Sequence, residues 1–126
     1  MSGDPETMPV DIEHLDPVVM GRALDDLHAL FAEDPRRWTQ GALARTDNGA
    51  PADPCAADAC RWCLLGASRM LERRHGLPDG SLFDVLDGEA RRRGRGSVAD
   101  INDGAGHVRD VLRFIAQTRK AIDSDA

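Results

Sequence analysis

Residues Cys60 to Leu71 read C-R-W-C-L-L-G-A-S-R-M-L, and this stretch constrains the fold more than any other. At about 100° per residue, Cys60, Cys63, Leu64, Ala67 and Leu71 share one helical face, while Trp62 and Leu65 point the other way. A helix that is apolar all round, as this one is from Trp62 to Ala67, belongs in the middle of a fold. Gly66 costs a helix interior roughly 1 kcal/mol relative to Ala, so its presence predicts the close approach of another element. Asp58 is the expected N-cap, and Gly76 the expected left-handed stop, with Pro78 just beyond. The central helix is thus predicted over 58–75. Arg73, Arg74 and His75 fall in its last turn, where cations suit the helix dipole.

The rest of the chain reads as shorter helices around this one. Asp16-Pro17 is a helix start, and Met20, Ala23, Leu24, Leu27 and Phe31 then recur at helical spacing, predicting a helix over 17–32. Asp34-Pro35 repeats the start signal ahead of Trp38. Ala42 to Arg45 fits either a helix or a short extended piece. Residues 46–57 hold Asn48-Gly49, Pro51 and Pro54 and read as loop. Ser81 is the expected cap of a helix carrying Leu82, Phe83, Val85 and Leu86, with Asp84 completing a weak capping box. Ser97 to Asn102 is one helical turn or a short strand. Val108, Val111, Leu112, Ile115 and Ile122 form the stripe of a last helix over 107–122, with Arg109, Asp110, Arg113 and Lys120 on its wet side.

There is no Tyr, and Phe and Trp together number five, so strand formers are scarce. The expected fold class is all-α. It is a compact single-domain bundle of about five helices around the central buried helix 58–75, with room for one short extended segment. A flexible acidic N-terminal tail is expected over 1–15 and one helical domain over 16–123.

Charge is unevenly spread. Residues 1–34 carry nine acids and one base, whereas residues 61–95 carry eight Arg and five acids. The net charge of −6 argues against general nucleic-acid binding. No apolar run approaches the ~18 residues of a membrane span, and the acidic start does not read as a signal peptide. A cytoplasmic protein with reduced cysteines is the expectation.

Three pieces stand in a definite order: Trp38-Thr39-Gln40-Gly41 with Ala44-Arg45, then Cys63-Leu64-Leu65-Gly66-Ala67, then Asn102-Asp103 ahead of an amphipathic helix. In order and spacing they resemble a family of small uncharacterised bacterial and phage proteins, grouped as a domain of unknown function, over roughly residues 20–122. That family's pattern reads Trp-Asn-Asp where this chain has Ile101-Asn102-Asp103. It continues Pro-Gly-Arg-Thr where this chain has Ala105-Gly106-His107. The resemblance implies a small helical fold and supplies no activity.

Candidate chemistry falls into three sets. Cys55, Cys60 and Cys63 can be read as thiolate ligands of a metal, with His28, His75 or Asp58 as a fourth. The favoured reading makes Cys63 a core residue, because Cys60 and Cys63 share a predicted face with Leu64 and Ala67. A Cys63 nucleophile would need His107 as base, and a mid-helix apolar position does not activate a thiol.

Trp38, Thr39, Gln40, Asn102, Asp103 and His107 form the second set. They serve either as local caps and turns or as a small recognition pocket. Arg91, Arg92, Arg93 and Arg95 form the third, a basic patch joined by Arg73 and Arg74 if the two helix ends meet. No aromatic residues interleave to stack bases, so an acidic protein surface is the expected partner and nucleic acid is disfavoured. No motif unites a nucleophile, a base and an oxyanion donor. The leading reading is therefore a non-catalytic interaction or regulatory module without a cofactor, and the alternative is a small-molecule- or metal-binding domain.

Overall fold

A computed structural model describes residues 16–125. The expected acidic tail over 1–15 lies outside the described residues. Within them the chain forms five α-helices and one small sheet: α1 Pro17–Glu33, a 3-10 turn Pro35–Arg37, β1 Ala44–Arg45, β2 Pro51–Ala52, β3 Arg61–Trp62, α2 Leu64–His75, α3 Ser81–Arg92, α4 Val98–Gly104 and α5 Val108–Asp125. The mostly helical class expected above holds, and none of these helices is long and apolar enough to cross a membrane.

α1 starts where Asp16 accepts the Val18 N–H at 2.8 Å, with Pro17 at the first helical position. It stops at Glu33 because Pro35 pushes Asp34 into extended backbone, at φ −148°. The Asp34 carboxylate then caps the 3-10 turn through the Arg36 N–H. Met20, Ala23, Leu24, Leu27 and Phe31 are all buried, as their spacing predicts. They pack with Leu64, Ala67 and Leu71 of α2, Leu82 and Leu86 of α3, and Val111, Phe114 and Ile115 of α5 in one core. Arg119 of α5 pairs with Asp25 of α1 at 3.0 Å, and His75 of α2 pairs with Asp26 of α1 at 2.7 Å.

The central helix is shorter than predicted. It begins at Leu64, not at 58, and Asp58 does not cap it. Arg61 and Trp62 are drawn into a three-stranded antiparallel sheet of order β2-β1-β3, with Ala44 opposite Ala52 on one side and Trp62 on the other. The Cys60 N–H goes to Arg45 O and the Cys63 N–H to Leu43 O, while the Trp62 indole donates to Pro54 O at 2.9 Å. The partners of the two backbone N–H groups lie 15 and 20 residues away in sequence and replace the i−4 carbonyls that helical periodicity presumes. The undecided segment Ala42 to Arg45 is accordingly extended, and the predicted loop 46–57 contributes β2.

Gly66 meets its expectation. A Cβ placed there would lie 1.8 Å from Leu43 O, so only glycine lets the approach to β1 cross the first turn of α2. Gly76 closes the helix at φ +68°, and the Leu77 N–H returns to Glu72 O at 2.8 Å.

α3 starts differently from the sequence reading. Its N-cap is Gly80 and not Ser81, whose hydroxyl donates instead to Pro78 O at 2.7 Å. The free N–H groups at its start are taken by Glu72 of α2. Oε1 accepts from Gly80 at 2.9 Å, and Oε2 accepts from Leu82 at 2.9 Å and Phe83 at 3.0 Å. α4 is a helix rather than a strand, started by a capping box between Ser97 and Asp100. It is tied to α3 by the Val98 N–H on Asp87 at 3.1 Å.

Candidate functional site

The Trp38 segment and the end of α4 meet, and Asn102 is the hinge of that meeting. It is 2% exposed. Its Oδ1 accepts from the Trp38 indole at 2.8 Å and from the Leu64 N–H, the first residue of α2, at 2.9 Å. Its amide nitrogen donates to Thr39 O at 3.4 Å. One side chain therefore ties the segment after the 3-10 turn, the start of α2 and the end of α4.

Gln40 completes the junction. Its amide donates to the carbonyls of Asn102 at 2.8 Å, Asp103 at 3.3 Å and Ala105 at 3.1 Å. These lie where a helix leaves its last carbonyls without partners, so Gln40 serves as a C-terminal cap delivered from another part of the chain. Arg45 holds the loop behind it, donating to Thr39 Oγ1 at 3.1 Å, Gln40 O at 3.2 Å and Gly49 O at 3.0 Å.

Five of the six residues in the predicted pocket, Trp38, Thr39, Gln40, Asn102 and Asp103, are thus brought together. His107 is used elsewhere: its Nδ1 accepts the Arg109 N–H at 3.1 Å at the start of α5.

A cleft of about 360 Å3 adjoins the junction, lined by Leu43, Cys63, Leu65, Ala99, Asn102 and Asp103 among others. Cys63 is not mid-helix. It is the N-cap of α2, 9% exposed, and its Sγ accepts the Gly66 N–H at 3.3 Å. The core reading is right about burial and wrong about helical position. Among the described residues, no group of three or more His, Cys, Asp and Glu side chains is placed to hold a metal ion. Cys55, Cys60 and Cys63 therefore do not assemble the ligand set considered above, and all three are unpaired thiols.

The arginine run ends α3 as predicted, but its members are anchored. Arg91 pairs with Asp87 at 2.8 Å. Arg92 and Arg93 both pair with Glu89, which is 4% exposed. Arg95 lies 5.9 Å over the ring of Phe114. Burial pushes the Glu89 carboxyl up, but the two guanidiniums outweigh it and hold the group below its usual range. The Arg91 guanidinium likewise keeps the Asp87 carboxyl low.

Arg73 and Arg74 do not join this patch. Glu72 fixes the end of α2 against the start of α3, and Arg91 begins about three turns further along that helix.

Three anchoring residues carried no signal of their role in the sequence: Glu72, Arg45 and Glu89. A Glu one turn from the end of a helix rich in Arg reads as a solvated charge, and only its partners show otherwise.

These features sit on the fold of a small helical domain with a polar junction between the Trp38 segment, the start of α2 and the end of α4. The chain belongs to a family of unknown function (DUF6197), whose model matches residues 17–121. Comparison with curated proteins and with solved structures returned no match.

Proposed function

We propose that the protein is a non-catalytic interaction module that docks an acidic protein surface on the arginine end of α3. One observation carries this reading. Arg91, Arg92, Arg93 and Arg95 are exposed to solvent, yet each is anchored on Asp87, Glu89 or Phe114. Guanidiniums already held in place lose less side-chain entropy when they meet carboxylates. Among the described residues Val18 is the one large hydrophobic that is exposed, so recognition rests on polar and charged groups. Three unpaired thiols suit the reducing cytoplasm in which such a module would work.

The Trp38 indole N–H, the Gln40 amide nitrogen and both polar atoms of the Asn102 side chain are spent on one another and on backbone, which favours a structural role for that junction over a recognition pocket.

The test uses poly-glutamate as the acidic surface and duplex DNA as the competing polyanion. The parent protein should bind poly-glutamate with an affinity that falls as salt rises, and should bind the duplex more weakly. Arg91→Ser with Arg95→Ser should weaken poly-glutamate binding while lowering the melting temperature by no more than a few degrees, the small cost of one exposed ion pair and one cation–π contact. Arg92 and Arg93 are left in place because they neutralise buried Glu89. Equal binding by the parent and the double variant, or preference for the duplex, overturns the reading.

A further inference from the structure

A second cleft, of about 460 Å3, lies away from the arginine end of α3, between the loop at 53–55, α2 and the turn into α3. Its charged lining is of both signs. Arg69 and Arg73 stand one turn apart on α2, Asp53 comes from the loop, and Asp79 from the turn. All four residues are exposed. Among the described residues none of them makes an ion pair, although all line the same cleft. Asp53 spends one oxygen on the Cys55 N–H at 2.8 Å. The fifth charge, Glu72, is 1% exposed and consumed by its three N–H donors.

We infer that this cleft binds a small zwitterion bearing one carboxylate and one ammonium, of amino-acid to dipeptide size. The argument is electrostatic. A simple anion drawn to Arg69 and Arg73 meets the carboxylates of Asp53 and Asp79, and a simple cation meets the reverse. A ligand with both signs answers all four groups at once. Two guanidiniums at i and i+4 suit a carboxylate, which they can grip with paired N–H donors. The carboxylates of Asp53 and Asp79 accept from an ammonium. The volume is in the range of small-ligand sites and leaves room for a side chain. This inference does not depend on the docking reading above.

Cys55 lines the same cleft and supplies a reporter, whereas Cys60 lines a separate one beside Arg61. The experiment titrates the full chain with L-alanine, with alanyl-alanine, and with acetate and methylammonium separately and together. Binding is followed by amide chemical shifts, and Cys55 alkylation by mass spectrometry.

Saturable shifts at residues 69–73 and 79–80 with L-alanine or alanyl-alanine, slower alkylation of Cys55 and unchanged alkylation of Cys60 are expected. The tighter of the two zwitterions shows whether the free amino acid or the dipeptide is the better fit. Arg69→Ala and Asp79→Ala should each weaken binding by about tenfold or more, as loss of one charge-assisted contact does. Acetate binding as tightly as the zwitterions overturns the proposal in favour of an anion site. Absence of saturable shifts with either zwitterion up to millimolar concentration ends it.

Discussion

The indole N–H of Trp38 donates to Oδ1 of Asn102 at 2.8 Å, joining residues 64 positions apart in the chain. The same oxygen accepts the first N–H of α2, so Asn102→Ala removes the acceptor of two donors in one step. The expected loss is roughly 2–4 kcal/mol, because donors buried without a partner each cost about 1–3 kcal/mol. A urea titration measures the loss, and the Trp38 indole resonance should move to a solvent-like position. A resonance that stays in place would show that the junction does not depend on this bond.

Glu72 places two carboxylate oxygens against three backbone N–H groups at the start of α3. Glu72→Gln keeps the shape but turns an amide NH2 toward at least one of those donors. We expect a loss of roughly 2–3 kcal/mol from unsatisfied and opposed donors. The denaturation midpoint should fall with an unchanged slope. Stability equal to that of the parent would mean that the start of α3 is solvated and not capped by Glu72.

Gly66→Ala drives a methyl group into Leu43 O, which belongs to backbone and cannot rotate away. The expected cost is about 3 kcal/mol or more, with β1 displaced from the start of α2. Gly88 is the control. It lies inside α3 with nothing within 4 Å of an added Cβ, so Gly88→Ala should stabilise the protein by about 0.5–1 kcal/mol. Circular-dichroism melts of the two variants should move in opposite directions.

Glu89 makes stability depend on acid pH. Its carboxyl titrates lower in the folded protein than in the unfolded chain, where a Glu titrates near about 4.3. The resulting stabilisation is full above the unfolded value and is lost as pH falls through the folded one. Stability measured from pH 7 to pH 3 should therefore hold steady and then drop below about pH 4. Replacing Arg92 and Arg93 together with Ser leaves the buried carboxylate without its partners. It should cost roughly 1–3 kcal/mol at pH 7 and shallow the acid drop. An unaltered pH profile in that variant would mean that the two arginines do not neutralise Glu89.

Local features of the sequence determined much of the architecture. Asp16-Pro17, Gly76 and the apolar spacing of α1 and α5 act within one or two turns, so their effect does not depend on distant contacts. Gly66 announced a close approach, since a glycine inside an apolar helix needs a steric reason. The partner was not legible: only the folded chain puts Leu43 O against it. The central helix begins at Leu64, later than its local pattern implies, for the same reason. Trp62 and Cys63 fit a helical period, but the Trp62 carbonyl accepts from the Thr39 N–H and the Cys63 N–H donates to Leu43 O, partners that only the folded chain supplies.

The candidate site divides along the same line. Trp38, Gln40 and Asn102-Asp103 could be picked out as a set from their order in the chain, while their use as mutual caps depends on hydrogen bonds across more than 60 residues. The arginine run at 91–95 was plain as composition. That Glu89 lies buried beneath it, and that Glu72 caps a helix other than its own, was decided by tertiary packing, because a carboxylate's partners are set by what folds against it.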